Sequence, residues 1–150
     1  MLKNIYFFFI MILLCSFSKH NKCTLAEEVS WELLSNVTMK EVWSEKYKMK
    51  IQKPIFDANI KKLNGKMIYI AGFLIPTTTY GKDYVISANP YSGCYFCGNA
   101  GIESIIELKF DNSNIRYKTD RHIIVEGKLI LNDGEDLGFI YTILNAREVL

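Results

Sequence analysis

Cys94 and Cys97, separated by two residues and followed at once by Gly98, are the side chains of this chain that most directly suggest chemistry. A cysteine pair at that spacing can close a short disulfide, lend two thiolates to a metal, or exchange disulfides with a partner. The glycine after the second cysteine favours a metal knuckle, because it frees backbone amides to hydrogen-bond to thiolates. A structural zinc site needs four protein ligands. With no second pair in the domain, the set would be Cys94, Cys97 and His122 with an open fourth position or a carboxylate such as Glu103, holding zinc or copper. Disulfide exchange of the thioredoxin kind wants the pair at the head of a helix in a βαβ unit. Here the flanking segments read as strands, so disulfide, metal and exchange readings all stay open, with no cofactor required.

Other candidates carry less. Tyr80, Tyr91, Tyr95 and Phe96 either line a pocket or pack the loop down. Lys40, Lys46, Lys48 and Lys50 fall on one face of an alternating stretch, which reads as an anion-binding stripe or a solvated strand face. No Ser-His-Asp arrangement, phosphate-binding loop or carboxylate pair is visible. With His122 the one histidine of the domain, most nucleophilic hydrolase mechanisms lack a general base. The expectation is a protein that is not an enzyme.

The N-terminus predicts an exported protein. Lys3 precedes an apolar run from Ile5 to Leu14, and no acidic residue occurs before Glu27. Such a run is too short to span a bilayer as an ordinary helix and suits a secretory signal. Ser16 and Ser18, or Thr24 and Ala26, place small residues at the −3 and −1 positions of a cleavage site, and Cys15 is a lipidation candidate. The leader is assigned to residues 1–26 and one β-rich domain to residues 27–150. The chain carries 18 Lys and Arg against 16 Asp and Glu. Loss of the leader removes Lys3, Lys19 and Lys22 and leaves 15 against 16, a net charge of −1. That balance lacks the cationic footprint of a nucleic-acid binder. The partners to expect are an envelope protein or a small ligand, with membrane contact only through the leader or a lipid.

The elements that must position the loop read as follows. Ser30 caps a short helix carrying Trp31 and Leu34. Val37, Met39, Trp43, Tyr47, Met49 and Ile51 share the inward parity of a strand or hairpin that turns near Ser44. Asp57 caps a second short helix with Ile60 and Leu63 buried, closed by Asn64-Gly65. Five strands follow: 67–76, covered on both faces and kinked at Gly72; 83–87; 105–110; 121–131, interrupted by Gly127; and 138–144. This pattern predicts a mainly β fold, a small OB-like five-stranded barrel, or an open antiparallel sheet on the N-terminal segments.

The run Leu63-Asn-Gly-Lys66, the strand Ile70-Ala-Gly-Phe-Leu-Ile-Pro76, the segment Ile86-Ser-Ala-Asn-Pro90 and the loop from Cys94 through Cys97 and Gly101 to Ser104 resemble an uncharacterised family of exported bacterial proteins, domain of unknown function 3299. The likeness runs from Trp31 to about Leu131, and Ile102 stands where that family usually has proline. It implies bacterial origin, export to the periplasm or envelope and a small β-fold. It implies no mechanism.

Overall fold

A computed structural model describes residues 25–78, 83–110 and 117–149. The elements in chain order are β1 (Glu27–Glu28), α1 (Trp31–Leu34), β2 (Val37–Ser44), β3 (Met49–Phe56), α2 (Ala58–Leu63), β4 (Met67–Pro76), β5 (Tyr84–Ser87), β6 (Ile105–Phe110), β7 (Arg121–Leu131) and β8 (Tyr141–Val149). Five of them close a barrel in the order β4-β5-β6-β8-β7 and back to β4. All its pairings are antiparallel except β6 with β8. The open-sheet alternative is therefore set aside.

Strand β4 closes the barrel because it serves both neighbours. Met67–Leu74 pair with β7 on one edge, Phe73–Pro76 with β5 on the other, and Phe73 and Leu74 belong to both. Gly72 sits at that bend without a break in register. A Cβ there would stand 2.6 Å from the Ser87 carbonyl oxygen and 2.8 Å from Ile86 Cγ1, so only glycine lets the strands come together. At Gly127 the expected irregularity is a true bulge, with the β7–β8 register shifting between Glu126 and Lys128. The last strand runs on to Val149 instead of ending at Leu144. Asn145 adopts a left-handed φ of 53°, and beyond it the strand returns to the barrel with Ala146 buried.

Alternation along the strands fills the interior with Ile70, Leu74, Ile86, Ile106, Val125 and Ile143, none more than 1% exposed. The two short helices stop one end. Ser30 Oγ accepts from Leu33 N at 3.2 Å and Asp57 Oδ1 from Ile60 N at 2.7 Å, the caps foreseen from sequence. Leu34, Ile60 and Leu63 are buried against the barrel, and the Tyr141 hydroxyl donates to the Leu34 carbonyl at 2.8 Å. Strand β1 lies parallel on the free half of β4, and Trp31 Nε1 donates to the Ala71 carbonyl at 2.7 Å.

The hairpin β2–β3 corrects one expectation. Its turn, residues 45–48, lies where it was anticipated, and its register is unbroken. Yet Trp43 is 58% and Met49 50% exposed, while Val37 and Met39 pack on the core and Ile51 is buried. A two-stranded ribbon twists more strongly than a wide sheet. The face that carries Val37 and Met39 at the base has turned to solvent at Trp43, whereas Met49 pairs with Ser44 and so lies on the opposite face with Val42 and the buried Ile51. The lysines of this hairpin are largely neutralised: Lys46 pairs with Asp136, Lys48 with Glu45 and Lys50 with Glu41. Lys40 and Lys50 lie on opposite faces of the hairpin, so the four lysines do not make one anion stripe.

Candidate functional site: the cysteine loop and its cleft

The 17 residues between β5 and β6, 88–104, fold as three successive 3-10 turns at Tyr91–Gly93, Tyr95–Cys97 and Ile102–Ser104. Asn89-Pro90 and the glycines favour such tight turns. Gly93 N donates to the Pro90 carbonyl at 2.9 Å and Gly98 N to Tyr95 at 2.9 Å. Gly98 ends the second turn at φ +72°, the left-handed conformation glycine adopts without steric cost. Two bonds tie the loop down: Tyr91 N to Asp120 Oδ1 at 2.7 Å, and Ala88 N to the Ser104 carbonyl at 3.0 Å.

The two cysteines, adjacent in chemistry, differ in environment. Cys94 is fully buried in a small core of its own with Ile75, Val85 and Ile105, and Phe139 packs against it. Ile75 and Val85 are paired residues whose neighbours Leu74 and Ile86 face the barrel interior, so this second core lies on the barrel's outer face. The loop folds back over β4, β5 and β6, and Cys94 is the plug that seats it. Cys97 is exposed, and its thiol donates to the Tyr91 carbonyl at 3.0 Å. Partial loss of solvent, reinforced by the neighbouring Cys94 thiol, raises the Cys97 pKa above its ordinary value. The two sulfurs are thus neighbours, and both are free thiols in this structure.

His122 is not their partner. It stands exposed on β7 with its ring edge-on to Phe73 at a centroid distance of 5.0 Å. Among the described residues no three His, Cys, Asp or Glu side chains converge on one point, so the structure does not assemble Cys94, Cys97 and His122 into a ligand set. Cys15 and Tyr80 lie outside the described residues, as does the leader up to Thr24. Among the described residues no helix is long and apolar enough to cross a membrane.

What the sequence did not foresee is that the hairpin and the loop 132–140 wall a cleft beside the cysteine loop. With Cys94 seated, the aromatic residues around it turn outward: Tyr91 is 49%, Tyr95 38% and Phe96 44% exposed. Phe96 stacks edge-on with Phe139 at 6.4 Å, which joins the cysteine loop to the loop 132–140 between β7 and β8. That second loop is clamped from the other side by the hairpin, through Lys53 to Glu135 and Lys46 to Asp136. Gly134, at φ +78°, passes so close to β3 that a Cβ would meet the Gln52 carbonyl oxygen at 2.9 Å.

Between the hairpin and the two loops lies a cleft of about 340 Å³ whose walls include Met39, Tyr95, Ile102, Glu103, Leu137 and Ile140. A second, larger cleft of about 570 Å³ lies on the far side of the loop 132–140. Its polar groups are already engaged: Asn132 Nδ2 donates to Thr142 Oγ1 at 2.9 Å, Glu107 pairs with Lys109 and Asp136 with Lys46. The smaller cleft is the chemically open one. Of the loop aromatics read as lining a pocket or packing the loop down, Tyr95 lines this cleft, while Tyr91 and Phe96 stand exposed outside its walls. The sequence left those two readings open because loop aromatics usually pack inward, and here a cysteine took that place.

No family model, curated protein or solved structure matches this chain.

Proposed function

We propose that this chain is an exported accessory or binding module without catalytic activity of its own, and that the cysteine loop is its ligand-presenting element. The observation that carries the reading is the seating of Cys94 in the outer core, which leaves Tyr91, Tyr95 and Phe96 exposed on an anchored loop beside an apolar cleft. An exposed apolar patch on a preformed scaffold is the usual mark of a binding site. The closed five-stranded barrel, with its single parallel pair β6–β8, is compatible with an OB-like reading. Such barrels carry ligands on the outer face of their second and third strands. Here β5 and β6 hold those positions and the cysteine loop covers them, so the binding surface moves outward to the rim of that loop. The N-terminal apolar run supports export to a bacterial periplasm or envelope, and the resemblance of the cysteine loop to domain of unknown function 3299 would agree with that setting.

In an oxidising compartment the neighbouring sulfurs would close a Cys94–Cys97 disulfide that locks the loop. The raised pKa of Cys97 disfavours its thiolate, the species that exchanges disulfides, and so supports a structural pair over a catalytic one.

Titration with the neutral dye Nile red tests the reading. Saturable fluorescence enhancement is expected, and the double variant Tyr95→Ala, Phe96→Ala should abolish it while keeping the far-UV circular dichroism of the parent. Enhancement that survives the double variant overturns the cleft assignment. Turnover of a substrate that disappears in Cys94→Ser would overturn the non-enzymatic reading.

A further inference from the structure

The cleft carries one charged side chain. Of the residues in its walls only Glu103 is ionic, and among the described residues its carboxylate takes no hydrogen bond and no ion pair. Elsewhere on the surface carboxylates are routinely engaged, as with Glu41, Glu45, Glu126, Glu148 and Asp136. Glu103 is half-buried, and its carboxylate lies over the α-carbon of Gly101, so close that a Cβ there would strike both oxygens. Gly101 makes the space in which this carboxylate rests, and Gly101 itself lines the cleft.

A carboxylate without a hydrogen-bond or ion partner keeps its acceptor sites open, and a ligand that brings a positive donor fills them with a charge-assisted hydrogen bond. Beside it are the Tyr95 ring, which attracts a cation through its π face, and the apolar Ile102, Leu137 and Met39. We infer that this cleft binds a small organic amine, with its ammonium on Glu103 and its apolar body against Tyr95 and Leu137. The inference rests on the binding-module reading and adds the ligand class. The cleft volume lies at the lower end of the range for small-molecule pockets, which fits a free amine of roughly ten to twenty heavy atoms or fewer. An anionic ligand would meet the unpaired carboxylate head-on, and a plain hydrocarbon would leave it unsatisfied.

Phenethylammonium is the probe, with 2-phenylethanol and phenylacetate as its neutral and anionic counterparts and N-acetyl-lysine amide standing for a side chain of a partner protein. Binding to the full chain is followed by amide chemical shifts in 1H–15N spectra. The amine is expected to bind with a Kd of about 1 mM or tighter, with shifts centred on Tyr95, Ile102, Glu103 and Leu137. The alcohol and the acid should bind at least about tenfold more weakly, the ratio expected for one charge-assisted hydrogen bond. In Glu103→Gln the amine should fall to the affinity of the alcohol. Equal binding of amine and alcohol by the parent chain overturns the inference and leaves the module reading standing, and this comparison needs no variant to fold. Tighter binding of N-acetyl-lysine amide than of the free amine overturns the small-molecule assignment. No binding of any of the four overturns the inference, while the Nile red titration decides the module reading separately.

Discussion

Ile105 and Ile106 are consecutive residues of β6, both fully buried, and they belong to different cores. Ile106 faces the barrel interior, where eighteen buried residues from the five strands and the segments at the barrel's end interlock. Ile105 faces outward into a core of four, Ile75, Val85, Cys94 and itself, roofed by a loop. Equal burial here does not mean equal contribution. A closed interior cannot relax around a missing side chain, whereas a loop can settle into the gap or lift away. The barrel holds the fold, and the outer core holds the loop on the barrel.

The sharpest test sets those two neighbours against each other in urea denaturation. Ile106→Ala should cost about 4 kcal/mol, in the upper range for an isoleucine truncated in a rigid core. Ile105→Ala should cost about 2 kcal/mol, and it should also raise the rate at which Cys94 reacts with a thiol reagent under native conditions, because opening of the loop becomes easier. Equal losses, with Cys94 still shielded, would mean that the loop is as much a part of the main core as the strands are.

A smaller effect separates the cysteines. Cys94→Ser places a hydroxyl among Ile75, Val85 and Ile105 and should lower stability by about 1–2 kcal/mol under reducing conditions. Cys97→Ser changes an exposed thiol and should leave the urea midpoint where it was. If the serine at position 97 destabilises more than the one at position 94, the plug has been assigned to the wrong cysteine.

The smallest effect is kinetic. Since the Cys97 pKa is raised, its thiolate fraction at any pH below that pKa is lower than that of an ordinary cysteine. Alkylation of Cys97 by iodoacetamide in Cys94→Ala should therefore be compared with the parent as pH rises from about 7 to 10. The parent is expected to react more slowly at the acid end and to reach its plateau at higher pH, because the neighbouring Cys94 thiol contributes to the shift. A plateau reached by the parent at lower pH would show an activated cysteine, and would revive disulfide exchange as the role of the pair.

Much of the scaffold was legible along the chain, because its signals are local. The caps at Ser30 and Asp57, the turn after Ser44 and the alternation of β6 and β7 depend on residues within a few positions of each other. Glycines at 72 and 127 marked the irregular points of two long strands, although chain order does not reveal that one is a close approach and the other a bulge. The exposure of Trp43 and Met49 was not legible, since ribbon twist accumulates along the hairpin and its four-residue turn puts odd-numbered residues of the two strands on opposite faces.

By itself the sequence determined the mainly β character, the number of barrel strands, both helix caps and the loop that carries the cysteines, all matters of short-range pattern. Tertiary structure alone decided that β4 closes the barrel with β7, and that Cys94 is buried while Cys97 is exposed. It alone placed Glu103 between a hairpin and two loops, and kept His122 with Phe73 away from the thiols. Each of those depends on which surfaces meet after segments tens of residues apart come together. No spacing within a single segment records that meeting.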